Sequence, residues 1–155
     1  SFPTDLRLEW TAVRPWTYTH RVPTYGTYTH NGRCLGFKFG PNSQLLLIEN
    51  RWWINIRNRF SISFEQLKWG REPKEDMNDG FDFGNDPNHN YIKANEEKYG
   101  DNTGWLIGDI ETTHTVQFLW EYLFSSMIGF GLGFAHRQVM DEAVNTMSIQ
   151  VNVDY

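Results

Sequence analysis

Thr146-Met147-Ser148-Ile149-Gln150-Val151-Asn152-Val153-Asp154-Tyr155 is the stretch whose reading decides the fold. Successive side chains of an extended chain point to opposite faces. Met147, Ile149, Val151, Val153 and Tyr155 therefore share one face, and Thr146, Ser148, Gln150, Asn152 and Asp154 share the other. One face is wholly apolar and its reverse wholly polar. A soluble antiparallel sheet alternates in this way, with its apolar face on a core. A transmembrane strand of ~9–11 residues does so too, with lipid on one side and water on the other. This strand alone does not separate the two, so the rest of the chain must.

Working backwards, Ile128, Phe130, Leu132 and Phe134 alternate with Gly129, Gly131, Gly133 and Ala135. Four consecutive small residues on one face do not build a packed soluble core; they make room for water, a plug or bulky neighbours. Before them, Val116, Phe118, Trp120 and Tyr122 stand opposite Thr115, Gln117 and Glu121. Phe60, Ile62 and Phe64 alternate with Ser61, Ser63 and Glu65. Leu46, Ile48, Trp52, Ile54 and Ile56 share a face that Asn50 interrupts, and a bulge there would re-aim side chains. Leu6, Leu8 and Trp10 alternate with Arg7, Glu9 and Thr11. The pattern predicts six strands, near 5–14, 44–57, 59–69, 109–123, 127–137 and 145–155.

The connections are unequal. Placing Tyr155 on the periplasmic side puts the short turns at 57–59 and 124–126 on that side. The connections 15–43, 70–108 and 137–145 then lie outside. Short periplasmic turns and long external loops are the asymmetry of outer-membrane barrels. Trp120, Tyr122 and Tyr155 end at one level, as an aromatic girdle requires. In lipid every backbone N–H and C=O must be bonded internally, which leaves a closed barrel as the β solution. Six strands are fewer than the ~8 of the smallest such barrels. The expected fold is thus all-β: an antiparallel up-and-down transmembrane β-barrel, with 1–155 a single segment supplying about six C-terminal strands of a larger barrel.

Composition agrees. The 155 residues carry 14 basic and 19 acidic side chains, net −5, which gives no footprint for nucleic acid. No apolar run of ~18 residues provides a helical span. A negative mean hydropathy is still compatible with a barrel, whose strands hide apolar groups at every second position. The single cysteine, Cys34, excludes an internal disulfide and a multi-thiolate metal site. Ser1-Phe2-Pro3 leads directly into a strand pattern, so an export signal is expected to have been removed, or the chain to begin inside a longer polypeptide.

Tyr28-Thr29-His30-Asn31-Gly32-Arg33-Cys34-Leu35-Gly36, then Gly40-Pro41-Asn42-Ser43 leading into an alternating strand, resembles the C-terminal region of capsule-assembly Wzi-like outer-membrane proteins. Leu8-Glu9-Trp10-Thr11-Ala12-Val13-Arg14-Pro15 is similar to the approach to that motif. Phe64-Glu65-Gln66-Leu67-Lys68-Trp69-Gly70 resembles the family's strand ending in glycine before an external loop. Phe37-Lys38-Phe39 departs from the family pattern, where His and a small residue are usual. The resemblance is specific over 28–43 and loose elsewhere. It implies a large barrel of the Gram-negative outer membrane and a part in attaching or organising surface or capsular polysaccharide.

Chemistry is sparse. His20, His30, His89, His114 and His136 show no metal-ligand spacing, and no nucleophile elbow, phosphate loop or HExxH sequence occurs. No catalytic residue, metal or cofactor is expected. The acidic run 76–86 lacks the ligand spacing of an EF-hand, and a solvated loop is its simpler reading. His114 and His136 suit the interfacial end of their strands. The inner face carries Arg7, Glu9, Glu49, Arg51, Arg57, Glu65, Glu111 and Glu121, both signs on neighbouring strands, as cross-strand pairing requires. Trp16, Tyr18, Tyr28, Arg33, Glu49, Arg51 and Trp53 are candidate ligand-binding residues, since flat aromatic faces beside polar groups suit sugar rings. Phe118, Trp120, Tyr122, Phe130, Leu132, Ile149, Val151, Val153 and Tyr155 are expected to face lipid. The expected partners are the bilayer, polysaccharide and the polypeptide that completes the barrel. The expected function is a non-enzymatic outer-membrane barrel for surface polysaccharide. The alternatives are a porin-like or scaffold barrel subunit and a soluble carbohydrate-binding β-sandwich.

Overall fold

A computed structural model of the chain describes residues 2–15, 17, 29–30, 33–34, 36–71, 105–125, 128–140 and 142–153. The elements are β1 (Thr4–Val13), β2 (Thr29–His30), β3 (Arg33–Cys34), β4 (Ser43–Asn55), β5 (Asn58–Arg71), β6 (Asp109–Leu123), β7 (Ile128–Val139) and β8 (Glu142–Val153). Six of them form one open antiparallel sheet in the order β1-β4-β5-β6-β7-β8, so hydrogen-bonded neighbours follow chain order. β2 and β3 pair separately, with Thr29 opposite Cys34 and His30 opposite Arg33. The described residues contain no helix. The fold class is therefore all-β.

Register sorts the side chains. Between β6 and β7, Phe118 faces Phe134, Trp120 faces Leu132 and Tyr122 faces Phe130. Between β7 and β8, Phe130 faces Val151, Leu132 faces Ile149 and Phe134 faces Met147. A slip of one residue would turn each apolar set to the opposite side, so three strands of matching alternation fix one register. On the reverse, Leu119 faces Gly133, Glu121 faces Gly131, and Gly131 faces Gln150.

The β7–β8 connection differs from expectation. Residues 137–145 read as a loop, yet β7 continues to Val139 and β8 begins at Glu142, with Met140 in the turn between them. Met140 takes a positive φ of 50°, an uncommon conformation for a residue with a Cβ. Pairing of Gln138 with Ala143 and of Val139 with Glu142 supplies the ladder bonds that this polar sequence does not announce. Of the three connections expected to be long, this one is short. The β4–β5 turn is at Ile56 and Arg57, where Asn55 Oδ1 accepts the backbone N–H of both Arg57 and Asn58 at 2.9 Å.

The chain divides into two compact units. The first comprises residues 1–10, 46–66 and 112–155 and holds the paired faces of β6, β7 and β8. The second comprises residues 11–45 and 67–111, and in it Val13, Leu45 and Leu67 are buried. Those three are the buried hydrophobic side chains among the described residues.

Candidate functional site

In the first unit the apolar face is uncovered. Phe118 is 42 % exposed, Ile149 73 % and Met147 85 %; Leu132, Phe134, Val151 and Val153 are also exposed. The rings contact one another along the face, tilted, stacked or T-shaped. Phe60 lies 5.9 Å from Phe118 and 6.3 Å from Trp120, and Trp120 lies 6.5 Å from Phe130. Between them runs a groove of about 390 Å³ lined by Phe60, Phe118, Trp120, Leu132, Phe134, Met147 and Ile149. Trp120 keeps its polar handle satisfied, its indole N–H donating to Asn58 Oδ1 at 3.2 Å. Asn50, the interruption in the β4 apolar face, accepts from Thr4 Oγ1 at 3.1 Å. Fully burying one such Phe, Leu or Ile is worth about 1.5–3 kcal/mol. The face as a whole therefore asks for an apolar medium far more strongly than any single polar contact asks for water.

The histidines of this unit sit among polar partners. His114 Nε2 is 2.8 Å from Gln66 Nε2 and its ring stacks on Phe64, with 6.0 Å between centroids. His136 Nδ1 is 2.7 Å from Asn145 Oδ1.

The reverse face is charged and internally paired. Arg51 donates to both oxygens of Glu49, Nε to Oε1 and a terminal amine to Oε2, at 2.9 Å each. Arg7 pairs with Glu9 two residues along β1. Arg59 Nε donates to Glu121 Oε2 at 2.6 Å, across from β5 to β6. Asp5, Arg7, Glu49 and Arg51 border one small cavity of about 120 Å³. The glycine row of β7 is filled from β6 and β8. A Cβ on Gly131 would meet Gln150 Cβ at 3.5 Å, and Glu121 Cγ and Leu119 Cδ1 at 3.7 Å. Larger neighbours thus occupy the space that the small residues leave.

The second unit contains a polar junction built on Asn42, whose side chain is completely buried. Asn42 has φ 54°, a left-handed conformation that asparagine tolerates better than most residues. Its side-chain amide donates to the carbonyls of Gly70 at 3.1 Å and Ile107 at 2.9 Å, and its Oδ1 accepts the Ile107 N–H at 2.9 Å. Its backbone carbonyl accepts the Gly70 N–H at 3.0 Å, and its backbone N–H donates to Arg14 O at 3.3 Å. One residue thus ties the chain just after β1 to the end of β5 and to the approach to β6. Ser43 Oγ donates to Gly40 O at 2.6 Å, and Gly40, at φ 76°, makes the preceding turn. Gly70 has to be glycine, because a Cβ there would collide with Ile107 O and the Asn42 side chain.

Of the candidate ligand residues, the structure brings Glu49, Arg51 and Trp53 onto one face of β4. Trp16, Tyr18 and Tyr28 and the Arg33 side chain lie outside the described residues, as do Tyr155 and the acidic run 76–86. Phe118, Trp120, Tyr122, Phe130, Leu132, Ile149, Val151 and Val153 share one face, with Trp120, Tyr122 and Phe130 half-buried and the others exposed. Among the described residues no group of three or more His, Cys, Asp or Glu side chains forms a metal-binding cluster. No helix of the described residues is long and apolar enough to cross a membrane, which says nothing of a barrel. Sequence reasoning noticed the Gly-Pro-Asn-Ser turn but missed the role of Asn42. A non-glycine residue tolerant of positive φ directly after Gly-Pro was the available signal. No family model, curated protein or solved structure matches the chain.

Proposed function

We propose that this chain is part of a transmembrane β-barrel of a bacterial outer membrane, a non-enzymatic protein that attaches or organises surface polysaccharide. The observation that carries the membrane part is the uncovered apolar face of β6, β7 and β8, backed by a face of paired charges. Lipid removes the cost of exposing Phe118, Leu132, Ile149 and Val151, and water or a plug solvates the reverse. The strands run up and down, and β1 and β8, the sheet edges, pair with further polypeptide to close the barrel. The polysaccharide part rests on the Wzi-like resemblance over 28–43.

Expressed behind an export signal in a Gram-negative host, the protein is expected to sediment with the outer membrane and to resist a urea wash. A soluble carbohydrate-binding sandwich stays in solution without detergent, and that result would sink the membrane reading. Absence of glycan binding in an array, together with surface polysaccharide still attached after deletion, would end the polysaccharide part. The charged reverse face supports a second reading, a porin-like or scaffold subunit. Ion conductance in planar bilayers, or stoichiometric co-purification with other proteins, would favour it.

A further inference from the structure

We infer that the β4–β5 turn and the end of β6 form a seat for an anionic phospholipid, with the lipid phosphate on Arg57 and the adjoining acyl carbons on Ile56, Leu123 and Phe124. The inference rests on the membrane reading above and adds to it a place on the chain and a lipid class. All four residues belong to the first unit and border one groove of about 390 Å³. Turns are ordinarily built from Gly, Pro, Asn, Asp and Ser. Here Ile56 is 91 % exposed, Phe124 63 % and Leu123 48 %. Single exposed apolar side chains are ordinary, but three around one groove mark a surface that meets an apolar partner.

Backbone bonds fix this arrangement and leave the Arg57 side chain out of it. The Leu123 N–H donates to Arg57 O at 2.9 Å, tying the end of β6 to the β4–β5 turn. The Arg57 N–H donates to Asn55 Oδ1 at 2.9 Å, and the Phe124 N–H to Ile128 O at 2.9 Å. Neighbouring guanidiniums are taken up, Arg51 by Glu49 and Arg59 by Glu121. Arg57 is exposed, and among the described residues no carboxylate pairs with it. The Phe124 ring meets Tyr122 at 4.9 Å and 83°, and Tyr122 lies 6.4 Å from Trp120. The aromatic row of the apolar face thus runs on into the groove. Tyr and Trp suit the membrane–water boundary, the level at which lipid phosphates adjoin acyl chains. A soluble anion would engage Arg57 and leave the apolar groups in water. An uncharged lipid would cover those groups and leave the guanidinium without an anion. A phospholipid does both, and its phosphate takes two N–H donors from one guanidinium. A lipid of net negative charge is best matched, because no headgroup cation then competes with Arg57 for the phosphate.

The test is native mass spectrometry of the full chain in detergent micelles, titrated with phosphatidylglycerol, with phosphatidylcholine and with glycerophosphate. The first phosphatidylglycerol is expected to bind at least about fivefold more tightly than phosphatidylcholine, the scale of one cation beside an anionic lipid. Glycerophosphate, which lacks acyl chains, is expected to bind far more weakly than either lipid. Arg57→Gln is expected to bring the two lipids to within about twofold of each other, and Arg57→Lys to keep most of the preference. Phe124→Ser is expected to weaken both lipids and preserve the preference between them. The turn is bonded through the Arg57 backbone, so both Arg57 variants keep it. A preference unchanged in Arg57→Gln, equal binding of the two lipids to the native chain, or glycerophosphate bound as tightly as phosphatidylglycerol would each overturn the seat. Retention of neither lipid would overturn it too and leave the groove to a polypeptide. Flotation with phosphatidylcholine vesicles separates the two readings. A chain that floats but shows no lipid preference loses the seat and keeps the membrane reading, whereas a chain that does not float loses both.

Discussion

The sheet of β6, β7 and β8 and the junction around Asn42 reach stability by opposite routes. In the sheet, alternation places apolar groups on one side and polar groups on the other, and almost nothing is buried by the described chain itself. Its stability depends on what surrounds it. In the junction, Pro41, Asn42 and Ser43 are completely buried and the polar atoms of Asn42 meet partners of the same chain. Its stability is internal and independent of medium. A substitution should therefore act through the solvent in the first region and through sterics and lost hydrogen bonds in the second.

The largest effect is expected at Gly70. Gly70→Ala forces a methyl group into Ile107 O and the Asn42 side chain, and at least one buried hydrogen bond must break. Overpacking and an unsatisfied buried group together predict a loss of about 3–5 kcal/mol, read by urea unfolding in lipid vesicles. A loss below about 1 kcal/mol would show that the junction yields easily and would dissolve the contrast.

Ile149→Arg comes next and sharpens the other side. A charge on a lipid-facing strand costs about 2–4 kcal/mol near the bilayer midplane. On a water-facing strand at 73 % exposure the same change falls within about 0.5 kcal/mol. Unfolding from vesicles decides between them, and a neutral result would place this face in water.

A smaller effect is expected for the Arg59–Glu121 pair. A double-mutant cycle with Arg59→Ala and Glu121→Ala should give a coupling of up to about 1 kcal/mol that shrinks in high salt. A coupling several times larger and insensitive to salt would mean that the charged face is dry.

Gly131→Ala is expected to be the mildest, within about 0.5 kcal/mol or slightly stabilising. Its added methyl reaches Gln150, Glu121 and Leu119 at ordinary contact distance, and alanine costs less entropy than glycine in a strand. The same substitution thus has opposite consequences at Gly70 and Gly131. Melting of both variants side by side tests the comparison within one experiment.

Much of the sheet was legible because a strand writes its two faces into alternate letters. Phe118, Phe130, Leu132, Ile149 and Val151 were assigned to one side by parity alone, and the register puts them there. The β7–β8 turn was not legible. Gln138, Arg137 and Asn145 look like loop residues, and only pairing with the neighbouring strand extends β7 and β8 through them. The contact of Phe39 with Trp69 was missed for a related reason: Phe39 lies 30 residues before Trp69, and no period links a loop residue to a strand residue.

The alternation of letters by itself determined that this protein is a β-sheet with two chemically opposed faces, because side-chain direction in a strand is set locally by the backbone. Tertiary structure alone decided that Asn42 would hold the ends of β1 and β5 and the start of β6, that Gly70 could carry no side chain, and that Trp69 would receive Phe39. Those outcomes depend on atoms brought within 3–6 Å across dozens of residues, and no local rule encodes such distances.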